Sequence, residues 1–138
     1  MSRLLLSFFT LLTSLFTLLT LSGCASSPEK AVEGRLQELV SALNAKDLPA
    51  ASRLYKGGVI PAVDNAGDSS VIFRLLHIPG GEDFSLGGVT TAVIDNRARA
   101  SVELDGKVVR GDSVVGEMAL PLKIELERDP SGEWMILP

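Results

Sequence analysis

R-A-R-A-S-V-E-L-D, residues 97–105, alternates small or apolar side chains with polar ones at every step. Successive side chains of an extended strand point to opposite faces. Ala98, Ala100, Val102 and Leu104 therefore line one face and Arg97, Arg99, Ser101 and Glu103 the other, the pattern of a half-buried strand. Upstream, Phe84 to Asp95 reads as its hairpin partner, turning at Asp95-Asn96, with Gly87-Gly88 marking a bulge that bends the sheet. Downstream, Val114 to Arg128 continues the alternation, with Leu120, Leu122, Ile124 and Leu126 against Ala119, Pro121, Lys123, Glu125 and Glu127. Asp129-Pro130-Ser131-Gly132 places each residue where a type I turn prefers it, and Glu133 to Leu137 returns as the last strand. Four valines, Val108, Val109, Val114 and Val115, either lengthen the middle hairpin or offer an apolar edge to a partner. The result is an antiparallel meander with one wet face.

Ahead of the strands the period changes to that of a helix. Ser27, Pro28 and Glu29 supply a capping hydroxyl, a proline at the first helical position and an acid in the first turn. Val32, Leu36, Leu39, Val40 and Leu43 then draw one apolar stripe that ends near Asn44 to Lys46. Asp47 is placed to cap a second helix running to Tyr55, which Lys56, Gly57 and Gly58 stop. Val71 to Ile78 is apolar almost throughout, and its periodicity fits a short helix or a buried strand. Helices followed by consecutive antiparallel strands make an α+β domain, with the helices on the apolar face of a curved sheet.

Leu39 to Tyr55, the strand pair around Ala92 to Val102, and Ser131 to Ile136 with its lone Trp134 together resemble the nuclear-transport-factor-2-like superfamily, with a cystatin-like arrangement as the neighbouring choice. The resemblance implies a cone of helices and sheet whose open end holds a small molecule. In the isomerases of this fold a tyrosine and an acid polarise a carbonyl while a second carboxylate moves a proton. The single tyrosine, Tyr55, is the residue that such an isomerase or dehydratase would use, with Asp83, Asp95 or Asp112 as the acid. Its alternative is an amphipathic residue closing the helix pair with a wet hydroxyl. His77, the single histidine, lies in an apolar stretch and reads as a hydrogen-bonded core or edge residue ahead of a general base. Trp134 reads as a core anchor ahead of a pocket wall. Tyr55, His77 and Trp134 are the pocket candidates, and no residue is assigned a catalytic role.

The chain opens with a second, more specific pattern. After Arg3, Leu4 to Leu21 runs 18 residues without a charge and is diluted by serines and threonines. That length is at the lower edge of a membrane span, and the run ends in small residues beside the single cysteine with no basic stop-transfer cluster. Leu21-Ser22-Gly23-Cys24 resembles the lipobox of bacterial lipoprotein precursors. The resemblance implies cleavage between Gly23 and Cys24, a diacylglyceryl thioether on Cys24, and acyl chains such as palmitate that anchor the protein in a membrane. Residues 1–23 are then a signal peptide, 24–28 a lipidated tether and 29–138 the domain. Ala25 after the cysteine implies the outer membrane, facing the periplasm, in a cell that has one.

Loss of residues 1–23 removes Arg3 and no acid, so the net charge goes from −4 to −5. That charge, with no basic patch, argues against nucleic acid as a partner. With Cys24 acylated no disulfide can form, and one histidine without a second thiol or imidazole makes no transition-metal site. Asp64 to Asp68 lacks the ligand spacing of a calcium loop, and the glycine pairs form no phosphate-binding fingerprint, so no cofactor is expected. The expectation is a lipid-anchored envelope protein that binds without catalysis, taking a small apolar ligand or another envelope protein.

Overall fold

The computed structural model describes residues 27–78 and 81–138. The lipobox-like stretch at residues 21–24 and the uncharged run before it lie outside the described residues. Among the described residues, no helix is long and apolar enough to cross a membrane.

Helix α1, Pro28–Ala45, begins where Ser27 Oγ accepts from the Lys30 N–H at 3.3 Å. It ends at Lys46, whose left-handed φ of 50° lets its N–H reach the carbonyls of Ala42 and Leu43. The expected stripe is buried along its whole length. Asp47 Oδ1 accepts from Ala50 N–H at 3.0 Å and opens α2, Leu48–Ser52. This helix stops short of Tyr55 because the sheet competes for the chain. Lys56 N–H donates to the Ile136 carbonyl and Ile136 N–H to the Leu54 carbonyl, each at 2.8 Å, and Tyr55 bridges Ile136 in parallel. The ambiguous apolar run resolves as helix α3, Ser69–His77, with Ile72, Leu75 and Leu76 inward.

The sheet has four strands, β1 Gly81–Ile94, β2 Arg97–Arg110, β3 Ser113–Arg128 and β4 Trp134–Ile136, in that spatial order. All neighbours are antiparallel. The register of β1 on β2 slips between Leu86 and Gly88, a bulge at the predicted glycine pair. The four valines lengthen the middle hairpin, which turns at Gly111 and leaves Val114 and Val115 more than half exposed. The final turn closes with Gly132 N–H on the Asp129 carbonyl at 3.0 Å. The chain is thus α+β, with helices packed on the inner face of an open antiparallel sheet.

One residue joins the layers. Phe84 faces Gly106 across β2, and a Cβ on Gly106 would meet the Phe84 ring at 2.9 Å and Met118 Cγ at 3.0 Å. Only a glycine lets the ring lie flat on the strand there. The main chain of Phe84 is held by α1. Asn44 Oδ1 accepts from its N–H at 2.7 Å, and Asn44 Nδ2 donates to its carbonyl at 2.9 Å. A side-chain amide so occupies the place of a neighbouring strand. Asn44→Ala is predicted to cost about 1–2 kcal/mol, read as a Tm lower by several degrees. Asn44→Asp, which keeps the acceptor but turns a carboxylate oxygen on the Phe84 carbonyl, should lose at least as much, and an unchanged Tm in both variants would contradict the clamp.

Candidate functional site

The interior of the cone decides which chemistry is open to the protein. Phe84, Leu104, Leu122 and Trp134, the residues that could fill it, are 3 %, 2 %, 4 % and 3 % exposed. Together with the α1 stripe, Ile72 and Ile136 they form one contiguous core. Side chains this buried pack against one another and leave little room for a ligand among them.

Tyr55 points into that core and is 1 % exposed. Its hydroxyl is not wet: burial pushes the phenol up to about 12, while a hydrogen bond from Ser69, itself buried, pulls weakly the other way. No carboxylate acts on it. Asp83, Asp95 and Asp112 are exposed, with Asp95 in the β1–β2 turn and Asp112 in the β2–β3 turn at the opposite end of the hairpins. His77 sits exposed at the end of α3, its Nδ1 donating to the Phe73 carbonyl at 2.7 Å and its ring stacked on Phe73 with centroids 4.2 Å apart. Trp134 is in the core under the Arg128 guanidinium, which lies 4.9 Å from the ring centre. Of the three, Tyr55 and Trp134 are buried in the same core and His77 stands in solvent.

The loop acids have structural work. Asp64 accepts from Ser70 N–H at 2.7 Å at the start of α3, and its hydrogen bonds to Ser70 hold the carboxyl below the usual carboxylate range. Asp68 clips the loop to β3, with Oδ2 accepting from Lys123 N–H at 2.6 Å and its own N–H donating to the Lys123 carbonyl at 2.9 Å. Asp129 is likewise held low, first by the Ser131 hydroxyl and then by the Glu133 N–H. Among the described residues no three His, Cys, Asp or Glu side chains are grouped to hold a metal ion.

Concavity lies instead on the outer face of the sheet. One cleft of about 590 Å³ crosses the middle of β1, β2 and β3, floored by Gly88, Thr90, Ser101, Glu103, Pro121 and Lys123 and bounded by Asp68. A second, of about 570 Å³, lies nearer the β2–β3 turn, where Asp83, Asp105 and Glu117 surround Lys107 beside Ser85 and Ala119. Arg99 bonds Glu125 at 2.6 Å and Arg97 approaches Glu127 at 3.5 Å, so the other end of this face is a ladder of cross-strand ion pairs. The face therefore grades from paired charge, through a trough where Glu103, Lys123 and Asp68 stand among small side chains, to a net acidic end. Period-two alternation reveals that this face is wet, but it does not reveal the trough. The available signal was the smallness of Gly88, Ser101 and Pro121 at positions where a wet strand usually carries long side chains.

By sequence, the chain matches no family model and no curated protein. By structure it is similar to an NTF2-like protein of unknown function from Pseudomonas putida, at 14 % identity and a TM-score of 0.58, covering 78 % of this chain and 80 % of that one. It is also similar to an NTF2-like protein with a cystatin-like fold from Novosphingobium aromaticivorans, at 17 % identity and a TM-score of 0.55, covering 91 % and 84 %. A provisionally assigned dehydratase of the NTF2-like family from Streptomyces avermitilis matches at 16 % identity and a TM-score of 0.56, covering 80 % and 93 %. The chain thus has the nuclear-transport-factor-2-like fold, which leaves its function to the residues of its own surface.

Tyr55 is the single tyrosine, so phenolate absorbance reads it alone. The unfolded chain ionises near pH 10.0 and the folded one only towards 12. The neutral buried phenol therefore contributes stability fully below pH 10, and that contribution is lost as pH rises from 10 towards 12. Absorbance titration should show phenolate appearing together with alkaline unfolding. A phenolate forming near or below pH 10 in the intact fold would show a wet or activated hydroxyl.

Proposed function

We propose that this protein is a lipid-anchored binding module of the bacterial envelope, held by acyl chains on Cys24 and taking a partner protein on the outer face of its sheet. The observation that carries the binding reading is the filled interior beside an open outer face. Catalysis of the isomerase or dehydratase kind, which the Streptomyces neighbour suggests for its own chain, needs a polarising group and a proton acceptor around one cavity. Here the phenol is spent on Ser69 and the acids stand in solvent.

The anchor fixes an orientation. Three residues, Ala25, Ser26 and Ser27, lie between Cys24 and Pro28, and the four steps reach at most about 14 Å, so the start of α1 lies close to the membrane. Arg35, near the middle of α1, meets Glu133 of the β3–β4 turn at 3.7 Å. Asn44 meets Phe84 at the other end of the helix, and the β2–β3 hairpin extends beyond it, away from the lipid. The acidic cleft and the exposed valines then face the periplasm, where a soluble or membrane-bound partner can reach them.

Intact mass spectrometry of protein extracted in detergent tests the anchor. The wild type should begin at Cys24 and carry diacylglyceryl and acyl groups that Cys24→Ala lacks, with no small molecule retained. A mass that includes residues 1–23 overturns the anchor, and a retained apolar ligand overturns the filled cone. Ser101→Arg, on the exposed floor of the trough, should change stability by less than about 0.5 kcal/mol. It should also abolish in-cell crosslinking from the outer face, and crosslinking that persists counts against that face.

A further inference from the structure

The outer edge of β1 is long and, among the described residues, unpaired. β1 is an end strand of 14 residues, and beyond its bulge, from Val89 to Ile94, it carries neither charge nor proline, two of the usual protections of an edge. Five of the six residues from Val89 to Ile94 are β-branched. Main-chain groups alternate in direction along a strand. Phe84 turns its own outward to Asn44, so Leu86 also faces out, and the bulge resets the parity so that Val89, Thr91 and Val93 face out beyond it. The other end agrees. Ile94 and Arg97 close the two-residue turn as a hydrogen-bonded pair, which leaves Val93 outward. Among the described residues, no hydrogen bond engages the outward groups of these three residues.

The segment is complementary to itself. Laid antiparallel on a copy about a two-fold axis at Thr91, Thr91 meets Thr91, Val89 meets Val93 and Thr90 meets Ala92. Every outward main chain meets an outward main chain, giving two hydrogen bonds for each of the pairs 89–93, 91–91 and 93–89. Inner faces meet inner faces, and no like charges are opposed. Ile94, 74 % exposed on its own chain, meets Gly88 on the same outer face, where the space a Cβ would occupy is open. We propose that two copies of this chain pair along β1, antiparallel and centred on Thr91, joining two four-stranded sheets into one and making the two outer faces continuous. The pairing goes beyond the binding role and does not depend on Cys24, so its failure would leave the anchor intact.

Facing residues in such a pair stand about 5.5 Å apart at Cα, within disulfide reach. Full-length Thr91→Cys, purified in detergent and mildly oxidised, should run mostly at twice its mass on a non-reducing gel, well above the wild-type background. Thr90→Lys with Ala92→Lys opposes lysines across the axis, and should keep the fold by circular dichroism while halving the sedimenting protein mass. A wild type that sediments as a monomer overturns the proposal. So does dimer formation by Ser101→Cys but not Thr91→Cys, which would mean face-to-face association. Crosslinking of Thr91→Cys only to a different protein overturns it as well, by giving the edge another occupant.

Discussion

The two hydrogen bonds from the Asn44 amide to the main chain of Phe84 are the joint between the helical layer and the sheet. They fix the end of α1 against β1, and with that the direction in which the apolar stripe crosses the inner face. The ring of Phe84 then covers the bare strand at Gly106, and Met118 closes over it from β3. Lys46, one turn-closing residue beyond the helix, donates from Nζ to the Leu75 carbonyl at 2.7 Å and draws α3 to the same corner. Main-chain groups that would be costly to bury unpaired are in this way satisfied by side chains at the place where the layers meet.

With that corner closed, the described interior is packed by the core side chains. A fold that can enclose a ligand here spends its interior on packing, and the single tyrosine becomes a core residue whose hydroxyl bonds a serine. The outer face of the sheet carries a trough in the centre of β1, β2 and β3, between an ion-paired end and an acidic end. A flat sheet of long, solvated side chains would resist close approach.

Much of the architecture was legible because it rests on local periodicities. The alternation at residues 97–105 and 119–127, the glycine pair at the bulge and the Asp129 turn each carry their own signal. The α1 stripe and its caps do too. The end of α2 was not legible, since Leu54 and Tyr55 are drawn out of the helix by Ile136, more than 80 residues away. Nor was the partner of Tyr55, because Ser69 sits in a stretch that reads as loop until the fold brings it to the phenol. The Asn44 clamp was hidden for the same reason. An asparagine near the end of a helix signals a cap, and nothing local says that it will serve as a strand.

Trp134 is the single tryptophan and lies in the middle of the filled interior, so its fluorescence reports directly on whether the cone is closed. Emission of the purified protein should be blue-shifted, resist quenching by acrylamide and stay unchanged when an apolar probe such as a naphthylamine dye is added. Saturable quenching of Trp134 by that probe at one molecule per chain would contradict the filled interior and return the ligand site to the cone.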